Sequence, residues 1–468
     1  MQDWIKVTLL LCTYGMVREI RPSEPFVSEF LLGEWREITE EQLNRDVYPI
    51  GTYAYLAQLV LIFLITDFLR FKPVIVLSGL SGIAVYSILL WTTSLEWVQA
   101  SQFFYGTYMA TEVAYLTYIY AKVDPARYPL VSSCTRIAAL SGRFLSGVSS
   151  QLLTHYGLMD YRQLNYITFT AQIVATFWAL WLPPVQYGIY FHRRTSTLSN
   201  PIDKPDVQNK VGESTFRSNV VEAATLIARH ARSAYTRPKV IVWSTLYACA
   251  LALFVQVQIY VQLLWKQIQD ESGRPVSYFI PLGGTYLDEL CSKVLPPSDI
   301  DILFGSSSFI FQVAYNGAVE AMQTLLGAGG AYVASMLTWS SLPAPVAAVQ
   351  GVAIFLATYI PNVFVSYAGY IVMGMLFHYT ITLASSKIAC QLHDESCFGL
   401  IFGINTLAGT ALQSILTLVL IQSLELPIPS QYYVLSGLLM ILASGWALGL
   451  MVHSCRQKHT DSNKKKKI

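Results

Sequence analysis

Charged residues are scarce in this chain. They make up 13% of its 468 residues, whereas hydrophobic residues make up 53%, and the mean hydropathy is +0.43. Soluble domains carry about 25% charged residues, so the composition excludes an ordinary soluble protein and indicates an integral membrane protein. The 7 cysteines are scattered, with no metal-like spacing, and are interpreted as small apolar core residues. No cleavable signal peptide opens the chain, so the first apolar segment is expected to remain in the mature protein.

Motifs for chemistry are missing as well. The sequence has no Ser-His-Asp grouping, no phosphate-binding loop, no metal-ligand spacing and no paired catalytic acids. We therefore expect neither an enzyme nor a catalytic residue, and we expect no metal site, no cofactor and no binding of nucleic acid.

What the chain does contain is a series of apolar segments, each close to the ~20 residues that a membrane crossing needs. The pattern predicts an all-α membrane protein with twelve transmembrane helices, the first of them broken. The predicted crossings lie at about residues 7–32, 49–68, 73–93, 98–121, 130–154, 164–182, 240–264, 317–338, 344–360, 364–390, 398–421 and 431–453.

The connections between these segments alternate in charge. The turn with Arg70 and Lys72, the connection after residue 121, the stretch 183–239 and the C-terminal tail are basic, whereas the loop 33–48 is acidic. The positive-inside rule therefore predicts that both termini are cytoplasmic. A long central loop between two sets of six crossings is typical of the major-facilitator architecture with two similar halves. The predicted organisation is an N-terminal half 1–182, a cytoplasmic linker 183–239, a C-terminal half 240–453 with a long outer loop 266–314, and a basic tail 454–468.

The first apolar segment is interrupted by the string Arg21-Pro22-Ser23-Glu24-Pro25-Phe26. Its prolines remove two backbone donors and prevent a regular helix. A broken helix at membrane depth is tolerated only where it is buried in protein or lines a water-filled cavity. Glu24 is thus either a surface residue at a helix end or a charged group that lines a pathway.

Ionisable side chains within the predicted crossings are few, and each costs about 2.5–3.5 kcal/mol on the insertion scale. Glu112 lies near the middle of the fourth crossing, which favours a functional carboxylate. Arg136 and Arg143 share one face of the fifth, where Arg136 is suited to an anchor or a latch and Arg143 to an ion pair with Glu112. Glu320, His378 and Lys387 are also singled out. Gln262 presents an amide in the seventh crossing and is expected to need a polar partner or to line the pathway.

The cytoplasmic end of the second crossing carries Asp67-Phe68-Leu69-Arg70-Phe71-Lys72-Pro73. In major-facilitator transporters an Asp and an Arg at this place pair across helices and latch one state of the gate. We therefore assign a gating role to Asp67, Arg70 and Arg136, with simple positive-inside anchoring as the alternative.

With these residues in hand, the chain resembles the reduced folate and thiamine carrier family of vitamin transporters. The resemblance runs from about Leu11 to Val452, without the central loop and most of 266–314. Its marks are the strings at 21–26 and 66–74, Phe103-Phe104-Tyr105-Gly106, Tyr115 with Tyr118-Ile119-Tyr120, the strings at 260–265 and 315–320, and Phe402-Gly403-Ile404-Asn405-Thr406.

The resemblance implies a folate or a thiamine-like substrate. The thiamine-carrying branch has a glutamate where this chain has Glu112, and the folate-carrying branch has an arginine there. Two other basic positions of the folate branch correspond to Gly374 and Gln413, which are uncharged. Charge complementarity therefore favours a cation, although Arg143 and Lys387 add positive charge.

These observations support one principal hypothesis, a carrier of thiamine or a related organic cation that works by alternating access in the plasma membrane. Substrate contacts are expected from Glu24, Glu112, Tyr115, Gln262, Glu320 and Arg143. The expected partners are a small vitamin and the lipid bilayer, with a coupling proton or counter-anion left open. Two alternatives remain, a carrier of reduced folate or another anion that uses Arg136, Arg143 and Lys387, and a non-transporting receptor or scaffold. The final Lys464-Lys465-Lys466-Lys467-Ile468 also fits an endoplasmic reticulum retrieval signal.

Overall fold

The structure, a computed structural model, describes residues 3–123, 127–185, 216–272, 314–392 and 398–465. Most of the predicted linker, most of the predicted outer loop and the last residues of the tail lie outside these ranges. The described part is helical throughout. Its helices are α1 (Asp3–Arg18), α2 (Val27–Leu31), α3 (Glu40–Gln42), α4 (Tyr48–Phe68), α5 (Lys72–Trp91), α6 (Leu95–Ala110), α7 (Glu112–Lys122), α8 (Tyr128–His155), α9 (Tyr161–Leu180), α10 (Phe216–Tyr235), α11 (Pro238–Ser272), α12 (Asn316–Met336), α13 (Pro343–Tyr359), α14 (Val363–Ala389), α15 (Phe398–Thr417) and α16 (Ile428–Lys465).

Helices overlie each of the twelve predicted crossings. Within the described residues, 6 helical segments are long and apolar enough to cross a membrane by length and composition, at Glu40–Phe68, Lys72–Trp91, Pro238–Glu271, Val363–Ala389, Gly399–Ser423 and Ile428–Val452. The other crossings stay predictions. Large apolar side chains such as Phe177, Trp181 and Ile441 are exposed on the outside of the bundle, where a bilayer would cover them.

The helix pairs recur in the two parts of the chain. In the first part α1 packs on α8, α4 on α6, and α5 on α9; in the second part α11 packs on α15, α12 on α14, and α13 on α16. In each part, these pairs join its first predicted crossing with its fifth, its second with its fourth, and its third with its sixth. The bundle is therefore built twice with the same neighbours.

The two parts meet where α8 packs on α12 and where α4 packs on α15. The first contact is close, because a Cβ atom on Gly147 would lie 2.7 Å from the carbonyl oxygen of Gly317. Gln151 adds hydrogen bonds to the backbone on both sides of the start of α12, from its Nε2 to the Ala314 oxygen at 3.2 Å and to its Oε1 from the Ala318 nitrogen at 3.1 Å. This junction lies at the end of the bundle where α8 finishes and α12 begins, which the loop charges assign to the outside.

The chain after the broken first segment is fixed over the end of α5. Arg36 Nη2 donates to the carbonyl oxygens of Leu89 at 2.6 Å and Thr92 at 2.9 Å, so this side chain satisfies the last carbonyls of α5. Burial, with the neighbouring Arg162, lowers the pKa of Arg36 to about 10, which leaves it a cation at neutral pH. The contact restrains the segment that follows α2 and, with it, the position of the break.

Candidate substrate-binding site

The break in the first segment follows directly from its sequence. Helix α1 ends at Arg18, and the prolines at 22 and 25 prevent its continuation before α2 begins at Val27. The carbonyl oxygen of Arg18 accepts hydrogen bonds from the Tyr108 hydroxyl at 3.0 Å and from Gln172 Nε2 at 3.1 Å. Side chains of α6 and α9 thus replace the partners that a continuous helix would supply.

The predicted fourth crossing contains a second break, which sequence analysis missed. Helix α6 ends at Ala110 and α7 starts at Glu112. Between them, Thr111 Oγ1 donates to the carbonyl oxygens of Thr107 and Tyr108, each at 2.9 Å. Hydroxyl bonds of this kind bend helices. The two breaks bring Glu112 to the end of α1.

A buried carboxylate, Glu19, organises the charges at this place. Its side chain is only 3% exposed and contacts Arg18 Nη1 at 2.9 Å, Arg21 Nη2 at 2.6 Å and Arg143 Nε at 2.6 Å. An isolated buried charge costs several kcal/mol, so a set of three guanidinium groups is what makes this carboxylate tolerable. The result is a rigid link between the end of α1 and α8.

Two further carboxylates complete the network and are partly exposed. Arg18 Nη1 lies 3.7 Å from Glu112 Oε2, and Arg21 Nη1 pairs with Glu24 Oε1. Both arginines are buried, whereas the side chains of Glu24 and Glu112 are 33% and 31% exposed. With Glu19 and Arg143, three glutamates oppose three arginines, so the formal charges of the network cancel. We call these six residues the charge network.

Tyrosines of α6 line one side of the charge network. Arg18 and Arg21 lie over the Tyr108 ring, at 4.3 Å and 5.4 Å from its centroid, in the range of cation–π interactions. The Tyr105 hydroxyl donates to Glu24 Oε1 at 3.4 Å. The aromatic wall therefore stabilises the arginines while leaving the carboxylates of Glu24 and Glu112 partly exposed.

Gln262 of α11 joins the broken segment from the other part of the bundle. Its Nε2 donates to the Glu24 carbonyl oxygen at 2.9 Å, and its Oε1 accepts from the Ser28 nitrogen at 3.1 Å. The amide, expected from sequence to need a polar partner or to line the pathway, thus satisfies two backbone groups that the break leaves open. A substrate role for Gln262 stays a prediction.

Glu320 lies across from the charge network, on α12. Its Oε1 accepts a hydrogen bond from the Tyr370 hydroxyl at 2.9 Å. The Trp265 ring packs edge-on against Tyr367 and Tyr370, with centroid separations of 4.8 Å and 5.4 Å. Glu320 and these buried rings form one cluster in the second part of the chain.

Tyr115 occupies a different environment from the one expected of a substrate contact. Its side chain is buried, its hydroxyl donates to the Leu11 carbonyl oxygen at 3.2 Å, and its ring packs on Tyr14 at 5.3 Å. In this conformation Tyr115 holds α7 against α1, and its role in substrate binding stays a prediction.

The residues assigned to gating lie at the ends of α4 and α8. Asp67 is buried in the last turn of α4, and its carbonyl oxygen accepts from the Arg70 nitrogen at 3.3 Å. Arg70 and Phe71 have φ of 60° and 65°, and the Phe71 side chain is buried, so this string forms a tight turn into α5. Arg136 is exposed on α8. The latch itself stays a prediction.

The two positions that resemble basic sites of the folate branch are filled by neutral groups. Gln413 Nε2 donates to Gln256 Oε1 at 3.0 Å, to Thr417 Oγ1 at 3.2 Å and to Thr52 Oγ1 at 3.3 Å. Gly374 leaves room for the Gln323 side chain, which a Cβ atom there would strike. Amides occupy the space at both places.

Three charged residues of the site were missed from the sequence. Arg18, Glu19 and Arg21 lie within the predicted first crossing and meet the same criterion that selected Glu112, a charge at membrane depth, so the signal was present. The suggested ion pair between Arg143 and Glu112 is not the one formed among the described residues. Arg143 binds Glu19, and Arg18 takes the place beside Glu112.

Comparisons with known proteins show the family of the chain. The chain matches the family model described as reduced folate carrier over residues 2–281 and 307–434. It is 30% identical to human thiamine transporter 1 (94% of this chain, 88% of the relative) and 30% identical to the human reduced folate transporter (97% and 74%). It is also 32% identical to folate-like transporter 3 of Caenorhabditis elegans, over 95% of each chain.

Solved structures show the fold. The POT family transporter PepTSo matches with a TM-score of 0.58 and 13% identity, over 97% of this chain and 99% of that one. The nucleoside transporter NupG matches with a TM-score of 0.54 and 12% identity, over 94% and 98%. These are transporters of the major-facilitator type, so the doubled bundle has that fold. Taken with the family match over most of its length, this multi-pass membrane protein belongs to the reduced folate carrier family of transporters.

Proposed function

We propose that the chain carries a vitamin-sized organic cation of the thiamine type across the plasma membrane by alternating access. The observation that carries this proposal is the difference in exposure between Arg18 and Arg21 and the carboxylates that pair with them, Glu112 and Glu24. Arg18 and Arg21 are buried, whereas the carboxylates of Glu24 and Glu112 are about one-third exposed. A cation that reaches these carboxylates gains electrostatic complementarity, and the partly buried Tyr105, whose hydroxyl bonds to Glu24, lies beside it.

The transport cycle that we propose uses twelve crossings in two halves of six, with both termini in the cytoplasm. Repetition of the same helix pairs in both halves supports this topology. The contacts of Gln151 and Gln262 close the junction between the halves on the side assigned to the outside. Substrate would enter when these contacts separate and leave towards the cytoplasm when they form.

Uptake of labelled thiamine by cells that express the chain tests the proposal. We expect uptake well above the empty-vector background. Glu112→Gln should lose about tenfold or more, because the amide removes the charge that attracts a cation; a tenfold loss of binding corresponds to about 1.4 kcal/mol. The matched control is Glu41→Gln, an exposed acid of the outer loop that pairs with Arg45 and should leave uptake unchanged. Background uptake by wild type that reaches the cell surface would exclude thiamine.

The same family also contains carriers of anions, and one observation favours that second candidate. The Arg143 side chain is 39% exposed, so a basic side chain of the network is accessible as well as the two acids. If a reduced folate is the substrate, excess folate should compete with uptake and excess thiamine should not, and Arg143→Gln should lose more activity than Glu112→Gln. We use Gln rather than Arg at position 112, because an arginine there would face Arg18 whatever the substrate is.

A further inference from the structure

A further carboxylate, that of the partly buried Glu29, lies outside the charge network. It is on α2, the short helix that follows the break. Its Oε1 accepts a hydrogen bond from Asn316 Nδ2 at 2.6 Å, and its Oε2 is buried without a hydrogen-bond partner among the described residues. Glu29 is therefore an acid with one satisfied and one unsatisfied oxygen.

The bond from Glu29 belongs to a chain of hydrogen bonds between the two halves. Asn316 begins α12, and its Oδ1 accepts from the Tyr367 hydroxyl of α14 at 3.3 Å. Gln269 Nε2 of α11 donates to the same hydroxyl oxygen at 3.3 Å. One N-terminal helix is thus joined to three C-terminal helices, at the same outer junction that Gln262 bridges through Ser28. We call this chain the outer clasp.

The titratable groups around Glu29 form no ion pair with its carboxylate among the described residues. Lys266 of α11 is the cation that faces it, yet among the described residues no Lys or Arg nitrogen lies within 4.0 Å of its carboxylate. The other groups that face it are the phenols of Tyr48, at the start of α4, Tyr161 of α9 and Tyr367 of α14. Glu29 thus differs from Glu19, which has three guanidinium partners.

The free-energy cost of enclosing the Glu29 carboxyl group therefore depends on whether it is ionised or protonated. An ionised carboxylate buried without an ion pair costs several kcal/mol. A protonated one leaves a single hydroxyl unpaired, which costs about 1–3 kcal/mol. When the halves separate at the outer end, water reaches Glu29 and removes the first cost. The closed junction therefore holds a proton on Glu29 more tightly than the open junction does.

From this geometry we propose that Glu29 is a proton-binding group of the outer clasp, which takes up a proton as the halves close and releases it as they separate. Protonation then stabilises the closed junction, and a rise in pH favours opening. The proposal rests on the alternating-access part of the proposed function and not on the identity of the substrate, because it needs only the two arrangements of the halves.

A thiol placed inside the junction reports opening without any substrate. Ser150 is fully buried on α8, where a Cβ atom on Gly317 would lie 2.5 Å from its hydroxyl oxygen, so Ser150→Cys changes size little. Purified full-length protein is treated with a thiol reagent across the pH range, and labelling at this position is measured by mass spectrometry. A second chain with Leu158→Cys, which is 67% exposed beyond the end of α8, corrects for the pH dependence of the thiol itself.

We expect the corrected labelling to fall by about threefold or more between about pH 8 and about pH 5.5. A group that binds its proton tenfold more tightly in one of two states can shift the equilibrium between those states by up to about 1.4 kcal/mol. In Glu29→Gln, which keeps an acceptor for Asn316 and has no proton to exchange, the labelling should lose this dependence. Asn316→Ala removes the hydrogen bond but leaves the acid, so it should raise labelling and retain the dependence.

The outcome that overturns the proposal is specific. If the corrected labelling of Glu29→Gln keeps the wild-type pH dependence, or if wild type shows none, Glu29 is a structural hydrogen-bond acceptor and not a proton switch. The result is independent of thiamine uptake, so a failed substrate assignment and a failed proton assignment remain distinguishable.

Discussion

Replacement of Glu19 by Gln should destabilise the protein more than the loss of an ordinary surface acid. The Glu19 side chain is 3% exposed and bound by Arg18, Arg21 and Arg143 at 2.6–2.9 Å. The amide keeps the shape and one acceptor oxygen but loses the charge. Three guanidinium groups would then share only Glu24 and Glu112, leaving the site with a net charge of +1.

The magnitude follows from the burial of the partners. Breaking a buried ion pair from one side costs about 3–5 kcal/mol, because the remaining charge is uncompensated. Arg18 and Arg21 keep their second carboxylates, and the half-exposed Arg143 can be hydrated. We therefore expect the lower end of that range, about 3 kcal/mol, which corresponds to a fall in Tm of about 3 °C for a chain of this length.

Thermal unfolding of the purified protein in detergent measures this change without a substrate. Glu41→Gln is the matched control, because it removes the same charge from an exposed pair with Arg45, where about 0–1 kcal/mol is expected. Arg143→Met, introduced into Glu19→Gln, removes the uncompensated charge and should restore part of the lost stability, which a double-mutant cycle quantifies. Equal Tm values for Glu19→Gln and Glu41→Gln would refute the buried network.

Three further changes test other parts of the structure. Gln262→Leu leaves the Glu24 carbonyl and the Ser28 amide unpaired, which costs about 1–3 kcal/mol for each group. It should therefore raise thiol labelling in the Ser150→Cys protein, and unchanged labelling would argue that this amide does not close the junction. Phe71→Ala removes a buried ring from a turn at φ 65° and should lower the free energy of unfolding by about 3–5 kcal/mol. The change is measured as a fall in Tm, and a wild-type Tm would contradict the packing of this turn. Gly142→Leu should abolish the folded protein in size-exclusion chromatography, since α1 backbone occupies the space of its side chain; a normal elution profile would show that α1 and α8 lie further apart.

The sequence allowed most of the architecture to be predicted, because bilayer thickness and backbone hydrogen bonding leave few choices for an apolar segment. The break in the first segment follows from Pro22 and Pro25. The break at Thr111 does not, because threonine is common in helices and bends them only when its hydroxyl bonds to the preceding turn. Periodicity contains no sign of that choice.

The partners within the site were harder to predict than its members. Glu24, Glu112, Arg143 and Glu320 could be selected by their charge at membrane depth. Their pairing depends on how a broken helix turns back on α8, which local sequence does not specify. For this reason Glu19 was not selected from the sequence, although it is the centre of the charge network.

Neutral contacts show the same limit. Gln262 and Gln413 attract notice as amides in apolar helices, since such groups need partners. Gln262 bonds to the backbone of the broken segment, and Gln413 bonds to a cluster of amide and hydroxyl groups. The packing of helices far apart in sequence decides these partners. Glu29 has its partner, Asn316, on the other half of the molecule.

Direct binding of labelled thiamine to the purified protein tests the central claim, that exposed carboxylates of the charge network receive a cation. We expect saturable binding to wild type and to Glu41→Gln, and binding weakened about tenfold or more in Glu112→Gln. Binding of a reduced folate that is unaffected by excess thiamine, with no saturable binding of thiamine itself, would contradict it.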